Sequence, residues 1–300
     1  MARRGRLDAE LVRRGLARSR QEATELVASG AVRVNGEVAR KAATMVAAAT
    51  PVLLIADTGV RMVSRGAHKL VGALRKFGEY GLSVAGRRCL DAGASTGGFT
   101  QVLLDAGASE VVAVDVGCGQ LAWKLRSDER VEIFDRTNVR TLESAVIGGA
   151  ASLVVADLSF ISLRLVLPAL LACTQAGGDV LPMVKPQFEV GRGQLGSGGV
   201  VREPQLHAAA VLSVAAAAAQ HGWGVVGMAP SPLPGPAGNR EFFLWLRDDA
   251  APVDPEAVNR MVATPVSPAP SVSAPSDPVP SDAALSVTDR PATVSPTEQA

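Results

Sequence analysis

Cysteine is scarce in this chain: Cys89, Cys118 and Cys173 are the only three. They fall singly, without the paired spacing of a zinc site or a stapled secreted domain, which argues against a disulfide framework and for a reducing compartment. Long apolar runs are missing as well. No stretch reaches the roughly 18 residues that suggest a membrane span, and the Ala-rich segment from Ala208 to Ala219 reads as a packed helix. The start of the chain shows no charged segment followed by an apolar one and a cleavage site. The expectation is a soluble cytoplasmic protein with no membrane partner. Lysine is the third shortage, with Lys41, Lys69, Lys76, Lys124 and Lys185 standing against 25 arginines. Arginine has been accepted wherever a fixed positive charge suffices. A lysine kept at a strand end is therefore a candidate for work that arginine cannot do, since lysine alone of the two gives up its proton in a protein.

What is present is enough for a sizeable core: 300 residues, 47% of them hydrophobic. The net charge of +1 is unevenly spread, because residues 1–65 hold twelve Lys or Arg against six Asp or Glu. A basic front on a neutral body suggests an anionic partner for that front. At the other end, residues 251–300 carry ten of the nineteen prolines and no aromatic residue. Such a composition offers too little apolar area to offset chain entropy, so a disordered tail is expected.

The first 60 residues parse as a compact unit. Asp8 reads as the N-cap of a first helix that Gly15 ends. Ser19-Arg-Gln-Glu22 fits a capping box for a second helix stopped by Gly30. Asn35-Gly36 within Val32-Arg-Val-Asn-Gly-Glu-Val38 is a strong hairpin signal. These positions together resemble the S4 RNA-binding domain, which implies docking on folded RNA through the face carrying Arg4, Arg6, Arg18, Arg20 and Arg33. Arginines that contact phosphates and stack on exposed bases suit that task.

From about residue 62 strands alternate with helices. Strands are predicted at 88–91, 110–115, 131–134, 152–156, 179–184, 223–229 and 241–246. This alternation argues for a mostly parallel sheet covered on both faces. The short Pro/Gly-rich turn before Glu241 predicts a hairpin and an antiparallel end to that sheet. Behind the first strand runs Asp91-Ala-Gly-Ala-Ser-Thr-Gly-Gly-Phe-Thr100, a glycine-rich turn opened by an acid, and Asp115 closes the next strand. The turn lacks the G-x-G-x-x-G spacing of dinucleotide sites, and an aspartate there would repel a diphosphate but suit an ammonium group. That favours S-adenosylmethionine, with Asp91, Gly93, Ser95, Gly97 and Gly98 on its methionine end and Asp115 on its ribose. Phe99 is a candidate packing contact and Asp135 a candidate adenine contact, each open to a structural role instead. His68 and His207 show no ligand spacing and read as structural.

Lys69 in Ser64-Arg-Gly-Ala-His-Lys-Leu70, Asp157 in Ala156-Asp-Leu-Ser159, Lys185 in Val184-Lys-Pro-Gln-Phe188 and Glu241 in Asn239-Arg-Glu-Phe-Phe243 resemble the Lys-Asp-Lys-Glu tetrad of FtsJ-like ribose 2′-O-methyltransferases. With the S4-like front, the chain is similar to the TlyA family, historically named haemolysins. The resemblance spans residues 1 to about 247. It implies an α/β fold: a Rossmann-like class I methyltransferase sheet of seven strands, the last antiparallel, behind a small α+β S4 domain. The implied layout is an S4 domain at 1–60, a connector at 61–66, a methyltransferase domain at 67–250 and the tail at 251–300. The implied reaction is methyl transfer from S-adenosylmethionine to cytidine ribose in 16S ribosomal RNA, 23S ribosomal RNA or both, without a metal. Lys185 would act as the base, oriented by Asp157, while Lys69 and Glu241 position the hydroxyl. In the connector, Met62 stands where the family usually has an aromatic residue, and Ala67 replaces a glycine; Met can fill the same apolar gap. A non-catalytic RNA-binding or ribosome-assembly factor is the alternative, and it would not bind S-adenosylmethionine. A membrane-lytic protein is suggested by the older name alone.

Overall fold

A computed structural model describes residues 4–17, 19–28, 32–47, 49–54 and 62–264. Arg18 and Gly30 lie outside the described residues, as does everything beyond Thr264.

The front unit runs β1 (Arg4–Arg6), α1 (Leu7–Arg13), α2 (Arg20–Ala28), β2 (Val32–Val34), β3 (Glu37–Val38), β4 (Met45–Ala47) and β5 (Val52–Leu54). Leu7, Leu11, Ala23, Leu26, Val32 and Val46 form its core. Asn35 and Gly36 both adopt left-handed conformations (φ 52° and 86°) between the antiparallel β2 and β3, as a tight hairpin turn requires. Ser19 starts α2 as expected, its hydroxyl accepting from the Glu22 N–H at 3.1 Å. Asp8 is not the cap of α1. That place falls to Arg6. Asp8 is buried in the first turn, where its carboxylate binds Arg6 (2.8 Å) and Arg20 (3.1 Å) and is held well below the usual carboxylate range by those guanidiniums.

The larger domain follows as α3 (Arg65–Gly78), β6 (Arg88–Ala92), α4 (Gly98–Asp105), β7 (Glu110–Val114), α5 (Trp123–Arg126), β8 (Val131–Phe134), β9 (Ala151–Ala156), α6 (Leu163–Ala172), β10 (Thr174–Val184), α7 (Pro186–Glu189), α8 (Pro204–Ala219), β11 (Gly224–Pro230), β12 (Phe242–Arg247) and α9 (Pro255–Ala263). The seven strands lie in the order β11-β12-β10-β9-β6-β7-β8. Strands β8, β7, β6, β9 and β10 run parallel, and β12 is antiparallel to both of its neighbours. The antiparallel strand is therefore not the sheet's end: β12 inserts between β10 and β11, and β11 takes the edge.

Alternation along each strand feeds two cores. Leu90, Val112, Val114 and Val154 face α6, α8 and α9, while Cys89, Val111, Leu153 and Val155 face α3 and α4. Each fully buried Leu or Val contributes about 1.5–3 kcal/mol, which is why the strands read as nearly continuous apolar runs. Burial pushes the Cys89 thiol up to about 12 and leaves it an inert core residue. Residues 255–263, expected within a disordered tail, instead form α9. Asp254 caps it, Pro255 occupies its first turn, and Val258 and Val262 are buried in the core.

Candidate active site

The chain leaves β6 toward β7 on one side, while β9 adds to the other. The carboxyl ends of β6 and β9 thus flank the switch point, where α/β sheets open a crevice. The glycine-rich turn follows β6, Asp157 follows β9, and Lys185 follows β10. A cleft of about 410 Å³ lies there, and its walls include Gly93, Ser95, Phe99, Lys69, Asp157 and Lys185.

The turn is shaped by backbone that few residues tolerate. Gly93 and Gly97 have φ of 88° and 95°, and Ser95 holds a left-handed conformation at 48°. A side chain on Gly93 would stand 2.8 Å from the Asp157 carbonyl oxygen, so glycine lets the two strand tips close on each other. Gly98 also lines the cleft, and its close neighbours are Ser64 and the Ala67 backbone at the start of α3. Gly97 packs instead against Leu121 and Leu125.

The four tetrad residues form two ion pairs. Lys185 Nζ lies 2.6 Å from Asp157 Oδ1 and donates a hydrogen bond to Ser159 Oγ at 2.8 Å. Lys185 is 7% exposed, enclosed in the cleft wall. Lys69, on α3, donates to Glu241, the residue just before β12, and both side chains are buried. Lys69 faces the cleft, with Glu241 as its inner partner.

The expected cofactor acids sit differently. Asp91 is fully buried within β6, its Oδ2 accepting from Thr100 Oγ1 at 2.7 Å while Oδ1 has no partner. Burial pushes it up to about 7, with Asp157 and Asp115 adding like-charge repulsion. It underlies the turn and is not among the cleft-lining residues. Asp115 accepts from the Ser95 N–H (2.8 Å) and the Gly117 N–H (2.6 Å), joining the β6 and β7 turns. Asp135 accepts from the Gly119 N–H at 2.9 Å, which lowers its carboxyl below the usual range, and it pairs with Arg126 at 3.6 Å. Phe99 is both core and wall, stacked 6.0 Å from Phe243. His207 is buried against Phe242, its Nε2 2.9 Å from the Val201 carbonyl. Met62 packs on the α3–α4 core, the apolar filling expected of it.

Three contributors were not assigned from sequence. Ser159 holds the Lys185 amine, and its signal was the serine within Asp-Leu-Ser. Gln101 accepts from the Val63 N–H at 2.7 Å and ties the connector to α4. Phe160 is 92% exposed, adopts φ 65° and lies 5.4 Å from Phe188. A bare ring one residue beyond Ser159 offers a stacking face, and no periodicity marks it.

In the front unit, Arg6 and Arg20 share Asp8, whereas Arg4 and Arg33 are exposed and have no acidic partner among the described residues. Arg13 and Arg14 share Glu10 at 2.6 and 2.7 Å.

This sheet, with a glycine turn and paired lysines at one switch point, is the arrangement of a methyltransferase, and the comparisons agree. The FtsJ-like methyltransferase family model matches residues 62–248 and the S4 domain model residues 5–49. The chain is 62% identical over 247 residues to the Mycobacterium tuberculosis protein named 16S/23S rRNA (cytidine-2′-O)-methyltransferase TlyA, covering 82% of this chain and 91% of that one. It is 34% identical to Hemolysin A of Brachyspira hyodysenteriae, covering 79% and 98% of the two chains. A solved structure from Streptococcus thermophilus, provisionally named a hemolysin, matches with a TM-score of 0.67 at 41% identity, covering 88% of this chain and 96% of that one. The chain belongs to the TlyA family of FtsJ-like methyltransferases that carry an S4 domain. Among the described residues, no helix is long and apolar enough to cross a membrane.

Proposed function

We propose that this protein methylates the 2′-hydroxyl of a cytidine ribose in 16S ribosomal RNA, 23S ribosomal RNA or both, using S-adenosylmethionine. The observation that carries this reading is the shared cleft: the glycine turn and both tetrad lysines line one cavity. The relatives' names supply the RNA target, and such a substrate puts the protein among cytoplasmic ribosomes.

The residues fit the cofactor. The left-handed turn at Gly93 and Ser95 brings backbone to the cleft wall. Asp115 uses one lone pair of each oxygen on backbone N–H groups, which leaves acceptor capacity for ribose hydroxyls. When bound, S-adenosylmethionine supplies an electrophilic methyl group. The chain supplies the proton chemistry. A ribose hydroxyl is a poor nucleophile until a positioned base takes its proton, and Lys185 Nζ accepts it once the amine is free. Asp157 and Ser159 hold that amine from two sides, fixing its aim. Lys69, anchored by Glu241, places a positive charge beside the oxygen as negative charge develops there. Phe160 gives a splayed base a ring to stack on.

Lys185→Ala is expected to lower methyl transfer to ribosomal RNA by about 10²- to 10⁴-fold while RNA affinity is retained. A fully active variant would refute the assigned base. Calorimetric titration with S-adenosylmethionine separates this reading from a non-catalytic RNA binder, which would release no heat.

A further inference from the structure

Two segments carry the groups around the Lys185 amine. One runs from Asp157 to Ser162 and holds Asp157 and Ser159; the other runs from Lys185 through α7 to Glu189. The first is fixed at its start by the Asp157 N–H donating to the Ala92 carbonyl at 3.1 Å. Its far end is hydrogen-bonded to the second segment through Glu189, beside the Phe160–Phe188 ring contact at 5.4 Å. The Glu189 carboxylate, 1% exposed, accepts from Ser162 Oγ at 2.6 Å through one oxygen and from the Leu163 N–H at 2.7 Å through the other. The Arg164 guanidinium stands 3.5 Å away. A buried carboxylate is costly unless donors and positive potential surround it. Here two hydrogen bonds, one arginine and the N-terminal end of α6 do so. Glu189 is one turn from Lys185, and the Phe188 N–H donates to the Lys185 carbonyl at 2.9 Å, so little slack separates staple from amine.

We infer that Glu189 is a positioning residue for the methyl-transfer reaction: it staples the loop carrying Asp157 and Ser159 to the turn carrying Lys185. The inference rests on the proposed function. No cofactor-turn residue takes part in the staple, so its loss acts on the aim of the amine and not on cofactor affinity. Displacing a reacting group by about 1 Å costs on the order of 10²-fold in rate.

The test compares full-length wild type, Glu189→Ala, Glu189→Gln and Lys185→Ala in methyl transfer to ribosomal RNA, with kcat and both KM values resolved. Glutamine keeps an acceptor for the Leu163 N–H and can donate to Ser162 Oγ. Glu189→Ala is expected to lower kcat by about 30- to 100-fold, with both KM values within about twofold of wild type. Glu189→Gln is expected to return kcat to within about threefold. Wild-type kcat in Glu189→Ala beside an inactive Lys185→Ala overturns the staple and leaves the function standing. Equal loss in the Ala and Gln variants also overturns it. Undiminished transfer by Lys185→Ala places the fault in the functional reading instead. If Glu189→Ala does not fold, Ser162→Ala removes one of the two bonds; a kcat loss of about 3- to 10-fold at constant KM supports the staple, and an unchanged kcat overturns it.

Discussion

Asp91 shows how depth changes what a carboxyl does. It lies at the strand tip where a ligand-facing acid is expected, yet β7 and β9 enclose it on either side and Thr100 takes one of its oxygens. With its pKa raised to about 7 by burial, folding takes up a proton between about pH 4 and 7. Its contribution to stability is therefore complete below about pH 4 and is lost as pH rises through about 7. Asp91→Asn removes this titration. Scanning calorimetry from about pH 5 to 8 should show the variant gaining thermal midpoint relative to wild type as pH rises; a constant difference would mean that Asp91 does not titrate there. The positions of Asp91, Asp157 and Lys185 at the ends of apolar strands were legible, whereas Lys69 and Glu241 came from the resemblance to the FtsJ-like tetrad. Depth was not legible. It depends on which strands flank β6, and non-local pairing leaves no local mark.

At the scale of elements, all seven strands of the main sheet were readable from apolar runs between turn residues. The exact seat of β12 was not, since a hairpin signal says that β11 and β12 pair but not on which side a third strand lies. Helix α9 was hidden differently. Asp254-Pro255 is a good helix start, and Val258 and Val262 share a face, but the proline-rich composition around them drowned the signal. Arg240 then grips the end of that helix, donating to the Val262 carbonyl at 2.7 Å and the Thr264 carbonyl at 2.9 Å. Ending the chain after Val253 should cost about 3 kcal/mol or more from the two valines, visible as a lower denaturation midpoint in urea. An unchanged midpoint would show that α9 contributes nothing to the core.

For the whole molecule, the front unit's charge is spent unevenly. Arg6 and Arg20 are partly neutralised by Asp8, whereas Arg4 and Arg33 are exposed and have no acidic partner among the described residues. Arg4→Ala and Arg33→Ala are each expected to reduce the salt dependence of RNA binding by about one phosphate contact, measured by filter binding across a salt series. An unaltered slope would remove both from the interface. The insertion of β12 between β10 and β11 has a consequence for biosynthesis. Until the ribosome has released residue 247, β10 and β11 flank an open slot and the amine of Lys69 has no carboxylate to meet. The sheet and the buried Lys69–Glu241 pair are thus completed only by the last strand in chain order.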